Sequence, residues 1–299
     1  MRGISAKRIT SARQAGRFFR SLSLVAAFAT AALINSQQSA RAQDTEWEGI
    51  MYPGQLVVTG FPGTYIPGEE VPPGPEIIDE TLIDPERPAV RILDVSFPED
   101  PPSGQQIDAP THFSVPVSQT GLVFGTALDD LKYPNIYVTA TSAFGLHIVL
   151  PDADGDGRPE RLMNGAPGAS FMEGQWGSAD PAGGPGSVWK IDGRTGEVSL
   201  FANIALDGFA NTGAGLGNIV FYSRRGMFYV SDRDTGMIHR LDRNGNDLGT
   251  FDHGVAGRSA AGMSAQAFDP ANRLDIQDGA FNVNDSSTWA MPDPRRRVW

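Results

Sequence analysis

Two stretches of this chain repeat the same pattern fifty residues apart, and this repeat limits the possible fold more than any other feature. They are GSVWKIDGRTGEVSLF (186–201) and GMIHRLDRNGNDLGTF (236–251). Each has a glycine, a short strand pattern, Asp192 or Asp242, a glycine-containing turn, and a second strand ending at Phe201 or Phe251. Two short apolar runs around such a turn predict a β-hairpin. The chain therefore contains a repeated hairpin.

Further copies extend the repeat. GLHIVLPDADGDGRPERL (145–162) is a looser third copy with an enlarged turn, and AVRILDVSFPEDPPSGQQI (89–107) is a candidate fourth. A pair of strands is predicted ahead of two hairpins: residues 215–236 lead into the second copy and residues 121–145 into the third. Four short strands recurring every 40–50 residues or so, roughly the length of one blade, are typical of a propeller. The sequence predicts an all-β fold, a β-propeller of four-stranded blades, with a β-sandwich as the alternative.

Proline and glycine are dense in residues 52–110. An interior proline costs a helix about 3 kcal/mol, so long helices are excluded here. The short runs QLVVTGF and AVRILDV fit strands bounded by turns. Residues 66–88 are acidic and proline-rich, and they are predicted to form a long exposed loop.

The first 42 residues have the pattern of a secretory signal peptide. Six basic residues precede the apolar run SLSLVAAFATAALI, and Ala40-Arg41-Ala42 is a small-x-small cleavage pattern. The run is shorter than the roughly 20 residues of a membrane-spanning helix. We predict that residues 1–42 are removed on export and that residues 43–299 form the domain of a secreted or periplasmic protein. An uncleaved N-terminal anchor is the alternative.

Removal of this segment makes the chain strongly acidic. It takes away seven of the 24 basic residues and none of the 35 acidic ones, which leaves a net charge of about −18. Such a charge repels phosphate backbones, so nucleic acid is excluded as a partner. The chain has no cysteine, which excludes disulfides and zinc-thiolate sites.

Residues 215–251 carry a family resemblance. Asn218 precedes a strand pattern, Arg224-Arg225-Gly226 follows as a turn, and Tyr229-Val230-Ser231-Asp232 and Ile238-His239-Arg240-Leu241-Asp242 follow as two further strands. This stretch resembles a blade of the NHL-like and gluconolactonase-like six-bladed β-propellers (the TolB-like superfamily), in a bacterial exported protein. The resemblance implies the fold and says little about activity, because one fold hosts many functions.

The gluconolactonase-like resemblance also implies a possible second metal site, in the central channel, at Asp232 and Asn218. Asp232 matches the family's aspartate after the YVS strand, whereas Asn218 is displaced by one residue from the family's Asn-Gly pattern. A displacement of one residue turns a side chain to the other face of a strand. No equivalent of the family's N-terminal glutamate ligand is evident. The sequence favours the alternative, that Asp232 caps a turn, and no catalytic residue is predicted.

The segment PDADGDGRPER (151–161) is the clearest metal motif. Asp152, Asp154 and Asp156 alternate with small residues, and Glu160 stands at the ninth place. Carboxylate oxygens without histidine or cysteine favour Ca²⁺ over transition metals. An EF-hand is not predicted, because Met163 stands where that loop needs glutamate. We predict one structural Ca²⁺ bound by these four residues, with an unoccupied acidic turn as the alternative.

The function predicted from these features is that of a binding or scaffold module. The four histidines lack metal spacing, and no nucleophile elbow, P-loop or zincin motif occurs. We expect an exported, calcium-stabilised propeller that binds an unknown protein, glycan or small molecule and belongs to a larger extracellular or periplasmic protein. A lactonase-like metal-dependent hydrolase is the alternative. Residues 262–283 have the pattern of an unfinished blade, so we expect either a fragment of a longer protein or a closing strand from the N-terminal segment.

Signal cleavage gives a direct test. N-terminal sequencing of the exported protein should begin at Gln43, because cleavage follows the small residue Ala42. A mature chain that retains Met1 would contradict the prediction and favour the uncleaved anchor.

Overall fold

A computed structural model describes residues 48–66, 81–95, 110–152, 155, 159–178, 180 and 182–289. The chain divides into residues 1–48 and residues 49–299, and every element described below belongs to the second unit. The predicted signal peptide, residues 1–42, lies outside the described residues. In the described part of the chain, no helix is long and apolar enough to cross a bilayer.

Short strands dominate the described residues, and the helices among them span three to five residues each. The strands in chain order are β1 (Gln55–Thr59), β2 (Thr64–Tyr65), β3 (Leu82–Ile83), β4 (Pro88–Asp94), β5 (Thr111–Pro116), β6 (Val123–Leu128), β7 (Ile136–Ala140), β8 (Ile148–Leu150), β9 (Glu160–Leu162), β10 (Ser170–Phe171), β11 (Ser187–Ile191), β12 (Val198–Asn203), β13 (Ala205–Leu206), β14 (Phe209–Ala210), β15 (Leu216–Tyr222), β16 (Met227–Asp232), β17 (Met237–Leu241) and β18 (Asp247–Asp252). The helical segments are Val117–Thr120, His253–Gly257, Arg258–Ala260 and Ser286–Thr288.

Two four-stranded antiparallel sheets form the centre of the fold. The first has the order β6-β7-β11-β12 and the second the order β15-β16-β17-β18. The predicted pairing of residues 215–236 with the second hairpin copy is confirmed. The predicted partner of residues 121–145 was wrong: the β6–β7 pair joins the 186–201 hairpin rather than the 145–162 hairpin. Residues between β7 and β11 are thus an insertion into the first of these sheets, which a comparison of sequence spacing alone does not reveal.

The two repeated hairpins lie in corresponding positions of the two sheets. Asp192 and Asp242 each follow the first strand of the hairpin and accept backbone N–H hydrogen bonds from the next few residues of the turn. The two phenylalanines are less alike. Phe201 lies at a register shift in β12 and packs in the core between the sheets, whereas Phe251 pairs with Ile238 and is exposed. The turn aspartates are equivalent, and the side-chain environments at the ends of the hairpins are not.

The two sheets meet where their first strands carry matching bulges. The register of β6 shifts between Val123 and Thr126, and that of β15 shifts between Leu216 and Ile219. The hydroxyl of Thr139, in β7, accepts from the Gly125 N–H at 3.0 Å and donates to the Gly217 carbonyl at 2.6 Å. A Cβ on Gly125 would lie 2.7 Å from that carbonyl oxygen, so only glycine permits this approach. We call this contact the Thr139 seam.

A third, three-stranded sheet, β1-β4-β5, packs on the opposite side of β6-β7-β11-β12. Val90, Ile92 and Val115 of that sheet share one apolar cluster with Val138 and Trp189. On its other face, the β6-β7-β11-β12 sheet packs against β15–β18 through a second cluster containing Tyr137, Val188, Phe228 and Val230. Three sheets are therefore stacked, with the middle one covered on both faces.

The insertion and the last part of the chain that the structure describes, up to residue 289, form a separate cluster. The small sheet β10-β8-β9 packs with Leu274, Phe281, Val283 and Trp289. The expected unfinished blade at residues 262–283 was wrong: this segment contains turns and one isolated bridge, Asn164 with Asn282, but no strand. Its apolar residues cover the insertion instead of forming a further sheet.

The structure describes only the two ends of the segment 66–88, which is predicted to be a long exposed loop. Residues 67–80 lie outside the described residues. Near the end of the segment, β3 pairs with β2, and Ile83 is buried in the core. The prediction of an exposed loop was therefore wrong for residues 82–83, because one isoleucine finds an apolar neighbour in Met172. The all-β prediction is confirmed, whereas no closed propeller is shown by the described sheets.

The Thr139 seam can be tested by removing one hydroxyl. Thr139→Val keeps the side-chain shape but leaves the Gly125 N–H and the Gly217 carbonyl without their partner. We expect a loss of roughly 1–3 kcal/mol of unfolding free energy for each buried group left unpaired, measured by urea denaturation.

Thr126→Val is the matched control. It lies on β6 next to the same bulge, and its buried hydroxyl has no hydrogen-bond partner. Its replacement should change the unfolding free energy by less than about 0.5 kcal/mol or raise it. Equal losses in the two variants would contradict a special role for Thr139.

Candidate functional site

The predicted calcium loop lies on the turn of a hairpin, as expected for the third copy. Strand β8 pairs with β9, with Leu150 opposite Glu160 at the base of the turn. Asp152 is exposed and has a φ of 32°, and Gly155 has a φ of 85°, so the backbone curls through the left-handed region. Asp154 and Asp156 lie outside the described residues. Two of the four predicted ligands are thus placed, on the exposed turn and at its base.

The residues of the possible channel site are placed differently from each other. Asn218 lies in the bulge of β15, is exposed, and accepts a hydrogen bond from the Ile219 N–H at 2.9 Å through its Oδ1. Asp232 ends β16 and is 1% exposed. Within the described residues, no group of three or more acidic, histidine or cysteine side chains is arranged to hold a metal.

Asp232 caps the turn between β16 and β17. Its Oδ1 accepts from the Asp234 N–H at 2.9 Å and from the Asn211 side-chain amide at 2.9 Å, and its Oδ2 accepts from the Thr235 hydroxyl at 2.6 Å. A carboxylate that receives hydrogen bonds from its own turn fixes the turn conformation. The capping interpretation of Asp232 is confirmed.

Asp234 is the second buried carboxylate of this turn. It accepts from the Thr212 backbone N–H and hydroxyl, each at 3.0 Å, and pairs with the guanidinium of Arg273. Burial, followed by the charge of Asp232, raises the pKa of Asp234, while Arg273 opposes the rise. Arg273 also donates to the Ala210 carbonyl at 2.6 Å. This ion pair therefore fastens the chain beyond β18 to the turn.

Arg233, between the two aspartates, reaches the segment that follows β7. It is buried and donates to the Ser142 hydroxyl at 2.9 Å, and that hydroxyl donates to the Ala214 carbonyl at 2.6 Å. The residues 231–235 are all buried although four of the five are Ser, Asp or Thr and the fifth is arginine. We call Asn211, Asp232, Arg233, Asp234, Thr235 and Arg273 the turn cluster.

His239 links the turn cluster to Asp247 in β18. Its Nδ1 lies 2.6 Å from Asp247 Oδ2, and its Nε2 lies 3.7 Å from Asp232 Oδ2, within ion-pair range but beyond hydrogen-bond range. Burial lowers the pKa of His239, but the two carboxylates outweigh it and raise the pKa above 6.5. The imidazole is fully buried, so it balances charge between two strands and is not open to a ligand.

An accessible aromatic surface lies beside β1 and β6, which are the first strands of two sheets. Phe61 follows β1, Phe124 lies on β6, and both are 43% exposed. The ring centroid of Phe144 lies 6.0 Å from that of Phe61 and 6.4 Å from that of Phe124. The His147 ring lies parallel to Phe61, within 7°, at 6.1 Å. We call these four residues the aromatic patch.

The base of the aromatic patch is held rigidly. His147 is buried, its Nδ1 lies 3.0 Å from the Gln175 side-chain oxygen, and that oxygen also accepts from the His147 backbone N–H at 3.1 Å. Burial lowers the pKa of His147, which keeps the ring neutral at physiological pH. The patch therefore offers exposed aromatic rings on a fixed, uncharged support.

The sequence identified Asp232 but not its partners. The alternation of Asp232 and Asp234 before Thr235 is a local signal that marks a capped turn. Arg273 and Asn211 carried no such signal, because their distance along the chain says nothing about their approach to the turn. The same holds for Phe61, which joins the aromatic patch only through the packing of β1 beside β6.

Comparison of this chain with protein-family models, with curated proteins and with solved structures gave no match.

Folding should shift the pKa of the two buried histidines in opposite directions. Nuclear magnetic resonance titration of the imidazoles should give His239 a pKa above 6.5 and His147 a pKa below 6.5. Because folding raises the pKa of His239, the charged imidazole contributes its full stabilisation at pH values below its pKa in the unfolded chain. This contribution is lost as the pH rises through its pKa in the folded protein.

The variant His239→Gln measures that contribution. The difference in unfolding free energy between the wild type and this variant should shrink as pH rises from 6 to 9, by about 1.4 kcal/mol for each unit by which the folded and unfolded pKa differ. A difference that is constant across this range would show that folding does not raise the pKa of His239.

Proposed function

We propose that this protein is an exported β-propeller whose role is to bind a partner, as a module of a larger extracellular or periplasmic protein. The propeller is supported by two sheets of the same strand order, each beginning with a bulged strand, and by a third sheet stacked on them. In a propeller, each sheet buries its faces only against its neighbours. The middle sheet of the stack does so on both faces.

The aromatic patch is the observation that carries the binding role. The buried charged and polar groups of the turn cluster are engaged with one another and are closed to solvent. Phe61 and Phe124, in contrast, each expose a large apolar side chain beside Phe144 on an acidic protein, and clustered exposed aromatic residues mark contact surfaces. The surface that can meet a partner is therefore apolar and aromatic, and it carries no reactive group.

The hydrolase alternative has less support. It needs Asp232 to face a substrate and a metal, but both oxygens of Asp232 accept hydrogen bonds from the protein itself, and its side chain is buried. Asn218 is exposed and shares none of these partners among the described hydrogen bonds. A binding module fits these contacts better than an enzyme.

The proposed module is stabilised by calcium. The support comes from the exposed turn of the β8–β9 hairpin, whose sequence carries four carboxylates and whose backbone curls at Asp152 and Gly155. Like charges on so short a turn repel unless a cation lies among them. Asp152, Asp154, Asp156 and Glu160 would hold Ca²⁺, and backbone carbonyls and water would complete the six to eight oxygens that it takes.

The binding role can be tested with a random peptide display library. Peptides selected on the wild-type protein should lose at least tenfold in affinity for Phe61→Ser/Phe124→Ser, measured by calorimetry, because the exposed rings are removed. Leu131→Ser, at a similarly exposed leucine of the β6–β7 loop, is the matched control and should bind as the wild type does. Selected peptides that bind the double variant and the wild type equally would contradict a role for the patch.

Calcium binding can be tested by melting curves. A ligand that binds only the folded state at a hundred times its Kd adds about 2.7 kcal/mol of stability. Ca²⁺ should therefore raise the Tm of the wild type, and Asp154→Ala should abolish most of that rise while the circular dichroism spectrum remains that of an all-β protein. Identical melting curves with Ca²⁺ and with chelator would rule the site out.

A further inference from the structure

Among the residues that the structure describes, none covers the outward apolar face of β15–β18, the last of the three stacked sheets. The outward side chains of β15–β18 include three large apolar residues that are strongly exposed: Val220 at 56%, Phe251 at 48% and Leu248 at 42%. A groove of about 370 Å³ runs across this side. We call this surface the open face; its residues are Val220, Tyr222, Tyr229, Ile238, Arg240, Leu248 and Phe251.

The open face corresponds, strand by strand, to a face that is buried elsewhere in the same chain. Tyr229 pairs across the sheet with Arg240, as Tyr137 pairs with Lys190 in the middle sheet. Tyr137, unlike Tyr229, is only 3% exposed, because the middle sheet is covered there by β15–β18.

The remaining positions agree with this correspondence. Ile238 occupies the place of Val188 in the repeated hairpin, and Val188 is completely buried in the cluster between the sheets. Phe251 occupies the sequence place of Phe201, which packs in that cluster at 4.8 Å from the Tyr137 ring. The open face therefore carries side chains whose equivalents in the middle sheet are covered by another sheet.

At the other end of the stack, the described part of the chain leaves a second side exposed. In β1-β4-β5, Val90 and Ile92 point into the core, whereas the alternate residue Arg91 is exposed. Leu56, which pairs with Leu93 on this outward side, is 51% exposed. In the stack, this side corresponds to the one that the middle sheet turns toward β1-β4-β5 and that β15–β18 turns toward the middle sheet. Its side chains Leu56 and Leu93 are aliphatic.

We propose that the open face binds a second copy of this chain, through the outward side of its β1-β4-β5 sheet. The contact repeats between two molecules the packing by which the middle sheet meets β15–β18 within one molecule. It is a head-to-tail contact, in which two different surfaces meet. The inference rests on the packing of the sheets and not on the aromatic patch, so it stands or falls separately from the proposed binding role.

The expected strength follows from the size of the sheet. Four strands of five to seven residues cover roughly 400 Å², since strands lie about 4.8 Å apart and rise about 3.3 Å per residue. Stable dimers bury about 800 Å² per partner, so this association should be weak and visible only at high concentration. Each surface carries one arginine, Arg240 or Arg91, and therefore salt should strengthen the contact by screening them.

Sedimentation velocity of the purified protein across a range from 1 to 500 µM tests the association. We expect the weight-average sedimentation coefficient to rise with concentration, and Phe251→Arg to shift the midpoint at least tenfold higher. Leu131→Arg, at an exposed position on neither surface, is the control and should leave the midpoint unchanged. Circular dichroism and Tm confirm that Phe251→Arg is folded. A protein that remains monomeric at 500 µM overturns the proposal.

Cross-linking tests which surfaces meet. The chain has no cysteine, so an introduced thiol is unique. Tyr229→Cys and Leu56→Cys variants, mixed in equal amounts and treated with a short bis-maleimide, should form a mixed dimer at least tenfold faster than either variant alone. Leu131→Cys should cross-link with neither variant above background. If Tyr229→Cys cross-links with itself as fast as with Leu56→Cys, the contact is not head-to-tail and the proposal is wrong.

Discussion

The hydroxyl of Thr139 holds the two central sheets together, and the rest of the arrangement depends on it. A bulge removes the regular ladder partner of the Gly125 N–H, and the same hydroxyl that replaces this partner also donates to the Gly217 carbonyl of the next sheet. One polar atom therefore satisfies a donor in one sheet and an acceptor in the other. Because both strands carry glycine at the contact, the backbones come close enough for a single side chain to reach both. The apolar cluster of Tyr137, Val188 and Phe228 then closes beside this seam.

The turn cluster is a second junction, made of charges instead of a hydroxyl. Arg233 reaches back to Ser142, just after β7 of the middle sheet, and Asp234 reaches forward to Arg273 beyond β18. Buried charges contribute little net stability unless each one is paired and hydrogen-bonded, but removing one partner is costly. The cluster meets that condition for its two carboxylates, which explains why such polar side chains are closed to solvent. It also explains why Asp232, whose sequence surroundings resemble those of a metal ligand, serves here as part of a junction.

Burial and exposure divide the molecule into parts with different roles. The buried polar and charged side chains lie where sheets and segments join, and they are closed to solvent. The accessible surfaces include the aromatic patch beside the first strands, the acidic turn of the β8–β9 hairpin, the open face of the last sheet and the outward side of β1-β4-β5. We propose that the aromatic patch contacts a partner, that the acidic turn binds a cation and that the open face meets another sheet. This distribution supports the proposal of a module that recognises partners.

The sequence alone determined the class of fold and its repeating unit. The alternation of apolar residues around Asp192 and Asp242 gave both hairpins and their capped turns, because a short strand and its turn are set by neighbouring residues. It also determined the hairpin that carries Asp152 and Glu160, and the turn-capping role of Asp232. These features depend on contacts within a few residues of each other.

Only the tertiary structure decided which strands share a sheet and what each side chain meets. The β6–β7 pair joins a hairpin that lies beyond a long insertion, because burial of Tyr137 and Val138 on the two faces of one sheet outweighs closeness along the chain. Residues 262–283 resemble strands in sequence, yet their apolar side chains pack against the insertion in one buried cluster. Arg273 and Asp234, Phe61 and Phe144, and Thr139 and Gly217 meet across long separations. Local sequence cannot encode these pairs, because their energy arises only once the sheets have packed.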